Sequence, residues 1–230
     1  MSPQEAGDSG AELSRNEIAF FGKITASVTH ELNNVISIIE QTAGLLEDMI
    51  AGEERGVPIS IDRLAGVSAA IQRQTQRGLG IIGRLNRFAH ATDRPETVFD
   101  ADEVVGNLVE LSRRLASLRK IGLEFRPTAT APKMSGNPFV FQRAVFGAVQ
   151  TVLACGLADH TVTIENRAES HGFKVSVEGA TSGELGEGPL ADLEAVAEEA
   201  GGSLTVESGG GQMRLCLQFT VLPSTEGRSS

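Results

Sequence analysis

The stretch "ASVTHELNNVIS", residues Ala26–Ser37, places a histidine, a carboxylate and two amides within five consecutive positions of an otherwise apolar pattern. Asparagine is a poor residue for a helix interior, because its amide competes for backbone hydrogen bonds. The surrounding periodicity nevertheless predicts a helix, so helix propensity does not account for these polar side chains. They are therefore candidate functional residues.

Apolar residues and threonines recur on both sides of this stretch at alternating steps of three and four, which predicts one long helix packed as in a coiled coil. Ile24, Ile38 and Leu45 widen this stripe beyond a two-helix seam. A wide stripe requires more than one partner helix. The seam itself consists of Ile18, Phe21, Thr25, Val28, Leu32, Val35, Ile39, Thr42, Leu46 and Met49.

A second helix is expected after "GEERGVP", whose glycines and proline end the first one near Ala51–Gly52. Ser60 is a suitable cap for it, and its apolar pattern runs from about Ile61 to Ala89. Residues 15–92 thus form an antiparallel hairpin, preceded by a polar flexible tail at 1–14. One hairpin supplies only two helices, so we expect a homodimer in which two chains complete a four-helix bundle.

After the linker "ATDRPE" at Ala91–Glu96 the periodicity changes to that of an α/β sandwich, which we expect over residues 93–223. A flexible tail should follow at 224–230. The predicted fold class is therefore α+β, with the sandwich helices on one face. Its helices are expected from Asp100–Glu103 to Leu118, from Asn137 to Gly156 and from Leu190 to Ala200, and its strands at Ile121–Phe125, from Thr161, from Phe173, at Ser203–Glu207 and at Met213–Val221.

Composition excludes several classes of function. A net charge of −10 argues against nucleic acid as the main partner, and the absence of Trp and Tyr argues against a base-stacking surface. Cys155 and Cys216 lie in apolar runs, so we expect buried, reduced thiols in the cytoplasm, and no cysteine–histidine cluster predicts a metal site. Neither a signal peptide nor an apolar run of ~20 residues is present, so no membrane association is expected.

His30 falls on the most solvent-facing heptad position when Ile18 is counted as the first core position. An exposed helical histidine is usually an ordinary solvated residue. Here small residues, Ala26 and Ser27, lie one turn before it, and two amides follow one turn after it. Glu31 lies about 100° around the helix. A carboxylate that accepts the Nδ1 proton would fix the tautomer and leave Nε2 as a nucleophile.

The box "HELNN" after an apolar heptad helix resembles the phosphoacceptor box of sensor histidine kinases, whose helical hairpins pair into a four-helix bundle. The resemblance covers about Arg15–Ala91. It implies that His30 is the phosphorylated histidine and Glu31 its acid–base partner. Asn34 matches the family position whose amide or hydroxyl orients a water for dephosphorylation of a receiver domain. Val35 is a departure, because kinases of this group often have proline there.

Gly78, Gly80 and Gly83 of the second helix should lie near the level of His30, although each costs ~1 kcal/mol relative to alanine in a helix interior. Tight helix packing explains them. A surface without bulky side chains, on which a receiver domain could approach the histidine, would explain these glycines equally well. Both interpretations need small residues, so the glycines locate a site without naming its use.

The sandwich resembles the kinase ATP-binding domain in its apolar frame but not in its nucleotide-binding residues. Gly147 and Thr151 stand where the family has the asparagines of its magnesium-holding helix, and Gly179 stands at the aspartate of its adenine loop. About ten residues then precede the next helix, too few for a lid. The glycines of "SGGGQ" predict a hairpin turn rather than a phosphate loop.

This architecture resembles the dimeric histidine phosphotransferases of bacterial phosphorelays, which implies ATP-independent transfer. His30 would accept a phosphoryl group from the aspartate of one response-regulator receiver domain and donate it to another. The resemblance implies no intrinsic cofactor, with Mg²⁺ supplied by the receiver. The alternatives are a histidine kinase with an unrecognised ATP site, a non-catalytic dimeric scaffold, and a phosphatase that uses Glu31 and Asn34.

Overall fold

The computed structural model describes residues 3–93, 96–129, 133–169, 172–182 and 187–220 of the 230-residue chain. Its fold is α+β, with two long helices followed by a mixed α/β sheet domain. The predicted fold class is confirmed. Contacts divide the chain into two compact units, one of residues 21–86 and one of residues up to Phe20 together with those from Arg87 onward.

The first unit is a helical hairpin built from helices α1 (Pro3–Glu53) and α2 (Ile61–Ala89). The reversal between them uses Gly56, whose φ of +87° favours glycine, and a hydrogen bond from the Val57 amide to the Gly52 carbonyl at 3.0 Å. This is the turn that the two glycines and the proline predicted. The hairpin buries six apolar side chains among its described residues: Ile24, Val28, Val35, Met49, Val67 and Ile81.

The beginning of α1 differs from the prediction. We expected residues 1–14 to form a flexible tail, but the helix begins at Pro3. Proline is favourable in the first turn of a helix, and the segment also contains Ala6, Ala11, Glu12 and Leu13, which are good helix formers. Extending a helix that is already nucleated costs little. Residues 1–2 and the predicted tail at 224–230 lie outside the described residues.

The second unit contains a five-stranded sheet in the order β2-β4-β5-β7-β6, in which only the β2–β4 pair is parallel, and a separate antiparallel pair of β1 and β3. Three helices pack against the larger sheet. The strands are β1 (Thr97–Asp100), β2 (Gly122–Arg126), β3 (Lys133–Gly136), β4 (Thr161–Glu169), β5 (Gly172–Ala180), β6 (Gly202–Gly209) and β7 (Gln212–Thr220), and the helices are α3 (Ala101–Ser117), α4 (Pro138–Cys155) and α5 (Glu187–Glu199).

Side chains alternate along the central strands, as half-buried strands require. Ile164 of β4 pairs with Val177 of β5, and Val175 of β5 pairs with Leu217 of β7; all four are buried. The opposite face carries polar residues such as Arg214. The helices therefore cover one face of the sheet, as predicted.

Caps and turns begin and end these elements where the sequence indicated. Asp100 Oδ1 accepts a hydrogen bond from the Glu103 amide at 3.0 Å, and Asn137 Oδ1 accepts one from the Phe139 amide at 2.9 Å. Gly210 and Gly211 join β6 to β7 with φ of +61° and +76°, values that suit a type I′ hairpin turn.

Helix α4 forms the centre of the sandwich. Among the described helices it is the one that is long and apolar enough to cross a membrane by length and composition, and 67% of it is buried within the protein. Burial of this extent is typical of the central helix of a packed core.

Phe20 of α1 and Phe88 of α2 belong to the second unit and pack within its core. The ring of Phe20 lies 5.3 Å from that of Phe88, and 5.5 and 4.8 Å from those of Phe139 and Phe146 on α4. Both Phe20 and Phe88 are buried. This aromatic cluster explains why the compact hairpin unit is shorter than the predicted hairpin of residues 15–92.

An ion-pair network reinforces the same region. Arg143 of α4 is 5% exposed, and its guanidinium donates to Glu17 Oε1 at 2.7 Å and also to Glu199 Oε2. The two carboxylates are each about 40% exposed. One buried cation therefore links the beginning of α1 to α4 and α5.

Candidate functional site

His30 lies on α1 within the hairpin unit, and its side chain is exposed, as the heptad position predicted. Neither ring nitrogen has a hydrogen-bond partner among the described residues. One turn before it, Ala26 is exposed and Ser27 is buried. Both nitrogens of the imidazole are therefore accessible to an incoming group.

Glu31 and Asn34 lie beside the histidine with different surroundings. Glu31 is half-buried and Asn34 is exposed. In the described part of the chain, Glu31 forms no hydrogen bond or ion pair, so the predicted contact between its carboxylate and Nδ1 of His30 is not made here. Residues i and i+1 of a helix do not face each other, and catalytic hydrogen bonds often form only in the complex with substrate.

The sequence allowed two interpretations of the glycines in α2, tight helix packing and open surface for a partner, and different glycines fit each one. Gly78 is buried, and a β-carbon there would lie 3.4 Å from Val35 Cγ1, so this glycine serves helix packing. The two helices are antiparallel and rise equally per residue. Five residues before Val35 on α1 and five residues after Gly78 on α2, His30 therefore lies level with Gly83. Gly80 is exposed, and only the Arg84 guanidinium approaches its β-carbon position, at 3.7 Å. Gly80 therefore leaves open surface.

The hairpin of one chain leaves much of its apolar stripe uncovered. Of the three residues that widen the stripe, Ile24 is fully buried, whereas Ile38 and Leu45 are exposed. An apolar surface of this kind marks an interaction site. The other large apolar side chains exposed on this unit are Phe21, Ile36, Ile50, Val57, Ile61, Leu64, Leu79 and Ile82.

Packed side chains surround Gly147 and Gly179, the two glycines that the resemblance matches to nucleotide-holding residues of histidine kinases. A β-carbon on Gly147 would lie 2.8 Å from Leu193 Cδ1 of α5. A β-carbon on Gly179 would lie 2.8 Å from Val162 Cγ2 and 3.0 Å from Val152 Cγ1. Asparagine and aspartate side chains therefore do not fit at these two positions without rearrangement.

These residues do not fit a nucleotide with its magnesium ion. Thr151 is buried, and neither glycine offers a ligand atom beyond its backbone. Among the residues that the structure describes, no group of three or more His, Cys, Asp or Glu side chains could hold a metal ion. At Gly147, Thr151 and Gly179 the sandwich therefore lacks the side chains that the resemblance to the kinase domain would require for a nucleotide.

Two polar residues of α4 were not singled out from the sequence. Gln142 and Arg143 interrupt the apolar segment "PFVFQRAVFGAV", and both are buried. Burial of a polar pair is unusual and requires partners. The interruption of an apolar run was the signal that could have identified them.

Comparison with known proteins gives structural neighbours alone. No family model matches the sequence, and no curated protein does. Two structures of the nucleotide-free catalytic domain of histidine kinase ThkA align with 56% of this chain and 99% of their own, at 13% identity and a TM-score of 0.50. Histidine kinase AdeS of Acinetobacter baumannii aligns with 84% of this chain and 98% of its own, at 14% identity and a TM-score of 0.48. The chain has a histidine-kinase-like fold.

Proposed function

We propose that this chain is an ATP-independent histidine phosphotransferase of a bacterial two-component phosphorelay, with His30 as the phosphoacceptor. The observation that carries the proposal is the exposed imidazole of His30, which has no partner among the described residues, within a histidine-kinase-like fold. The substrates are receiver domains of response regulators, which carry the phosphoryl group on an aspartate. The receiver brings its own Mg²⁺, and this chain needs no intrinsic cofactor.

The chemistry asks little of the protein beyond position and protonation. Nε2 of the neutral imidazole attacks the phosphorus of an aspartyl phosphate, and a P–N bond forms as the P–O bond breaks. The aspartate leaves as a carboxylate with the electron pair of that bond. Transfer to a second receiver reverses these steps. In the complex, the Glu31 carboxylate accepts a hydrogen bond from Nδ1–H of His30. This fixes the tautomer in which Nε2 is unprotonated and can attack.

The proposal includes a homodimer formed by the hairpin. The exposed side chains of Ile38 and Leu45 lie on the stripe that the heptad pattern assigns to a bundle core. A second copy of the hairpin offers the same stripe and completes a four-helix bundle. The protein acts in the cytoplasm, where receiver domains meet it, and it uses neither nucleic acid nor membrane as a partner.

A histidine kinase is the main alternative, since the fold is shared. The contact of Leu193 with the β-carbon position of Gly147 supports the phosphotransferase, because the asparagine that the resemblance matches to this position would need Leu193 to move. Asn34 supports phosphatase activity as a second function, because its exposed amide lies one turn from His30. No contact in the described residues favours a silent scaffold over these activities.

A measurement of nucleotide binding distinguishes the phosphotransferase hypothesis from the kinase hypothesis. The full chain is heated with and without millimolar Mg²⁺–ATP, since a ligand at 100 times its Kd stabilises the folded state by ~2.7 kcal/mol. We expect no change in Tm and no label on His30 from ATP alone. Stabilisation together with label from ATP would assign the kinase function instead.

A further inference from the structure

A cavity of about 460 Å³ opens in the sandwich unit beside α3 and the two-stranded sheet. Its volume lies within the range of small-molecule sites. Phe99, Val104 and Gln142 contribute to its walls, and the charged side chains of Arg87 and Glu103 are exposed at its rim. None of its lining residues belongs to the three kinase nucleotide positions, so it is a separate feature.

Gln142 is a deeply buried polar residue of this cavity. It is 3% exposed, and its Oε1 is buried without a hydrogen-bond partner among the described protein groups. A buried acceptor left unpaired costs ~1–3 kcal/mol, and proteins rarely retain one. Gln142 lines the cavity, so its carboxamide lies next to the space that a ligand donor would occupy.

Among the described lining residues, Arg87 and Glu103 carry charges of opposite sign that form no ion pair. Lys133 is neutralised, since its Nζ donates to Asp100 Oδ2 at 3.3 Å. By contrast, the Arg87 guanidinium and the Glu103 carboxylate have no ion pair with any described residue, including each other. A cation and an anion that are both unpaired complement a ligand that is itself a zwitterion.

We propose that this cavity binds a free L-amino acid whose side chain ends in a hydrogen-bonding group. The ligand carboxylate pairs with Arg87, and its ammonium group pairs with Glu103. Its side chain extends along Phe99 and Val104 and donates a hydrogen bond to Gln142. The α-carboxylate and α-ammonium account for the two rim charges, and the side chain accounts for the apolar wall and the buried amide. The site is independent of the phosphotransfer assigned to His30.

The test measures the Tm of the full chain with each of the twenty L-amino acids at ~10 mM. We expect at least one with a polar side chain, such as L-glutamine or L-histidine, to raise Tm by several degrees. L-leucine matches L-glutamine in size but has no donor, so it should shift Tm far less. No shift with any amino acid would overturn the proposal, and so would a shift with AMP or inorganic phosphate alone.

Variants tie the shift to the cavity. Gln142→Met keeps the length of the side chain without its amide, so the ligand-free protein should keep or raise its Tm while the ligand shift disappears. Arg87→Gln should weaken binding at least ~10-fold, as expected for loss of a charge-assisted pair. Arg214→Gln, on the other face of the sheet, is the matched control and should leave the shift intact. An undiminished shift in Gln142→Met would place the ligand elsewhere and refute the site.

Discussion

Leu193 Cδ1 of α5 lies 2.8 Å from the point that a β-carbon on Gly147 of α4 would occupy. Real β-carbons do not approach another carbon so closely, so any larger residue at Gly147 would have to displace the Leu193 side chain. The resemblance to histidine kinases matches this position to an asparagine of the metal–nucleotide complex. The contact with Leu193 leaves no room for that side chain unless Leu193 moves.

We expect Gly147→Asn to destabilise the protein by ~1–3 kcal/mol, because an overpacked core must shift Leu193 or the backbone. Leu193→Ala should cost less stability in the Gly147→Asn variant than in the parent protein, because it removes the overpacking there. Gly66→Ala is the control, since nothing lies within 4 Å of its β-carbon position and alanine favours a helix by up to ~1 kcal/mol. Urea unfolding measures all of these variants, and equal stability of Gly147→Asn and the parent protein would contradict the packing argument.

The dimer is tested at the exposed part of the stripe. Ile38→Asp places a charge in the proposed bundle core, where an unpaired charge costs several kcal/mol, so the full chain should become monomeric in light scattering at micromolar concentration. Val206→Asp alters an exposed apolar residue of β6 instead and should remain dimeric. A parent protein that is already a monomer at that concentration would refute the dimer.

Arg143 should respond differently from its partners. Arg143→Met replaces a buried cation with an apolar side chain of similar length and should be neutral or stabilising. The double variant Glu17→Gln with Glu199→Gln leaves the cation buried without charge compensation and should cost ~3–5 kcal/mol. Denaturant unfolding of the full chain gives both values. The reverse order of stabilities would show that the carboxylates contribute little.

Substitutions of Glu31 and Asn34 should affect two different reactions, phosphoryl transfer and dephosphorylation of the receiver. Glu31→Gln should slow label transfer by roughly 10- to 100-fold, near the low end of acid–base contributions. Asn34→Ala should leave histidine phosphorylation unchanged and reduce loss of phosphate from the receiver to water, because an amide positions a water but is not the nucleophile. Rapid-quench assays measure both rates. Equal and modest effects of the two variants would remove the distinct roles.

Much of the fold follows from local chemistry that a sequence displays. Asp100 and Asn137 cap the helices whose starts they indicated, and Gly210 with Gly211 makes the predicted turn. Strands β1 and β3 were missed, because four residues are too few for an alternating pattern and their pairing joins distant segments. The Arg143–Glu17 pair was equally hidden, since it joins α4 to the beginning of α1.

The sequence predicted that the His30 side chain is exposed, but it did not predict which side chains contact each other around it. The heptad position of His30 fixed its exposure, because the apolar seam orients the whole helix. The orientation of Glu31 was not predictable, since neighbouring helical side chains diverge and a partner is needed to bring them together. Gly78 and Gly80 look alike in sequence, and only the position of Val35 distinguishes packing from open surface.

The most direct test of the phosphotransferase is a relay between two purified receiver domains in the absence of ATP. One receiver is labelled on its aspartate and mixed with the full chain, a second unlabelled receiver and Mg²⁺. We expect acid-labile label to pass through this chain to the second receiver, and we expect His30→Ala to block that passage while the folded protein persists. Label that reaches the second receiver equally well through His30→Ala, or that never appears on the parent chain, would contradict the account.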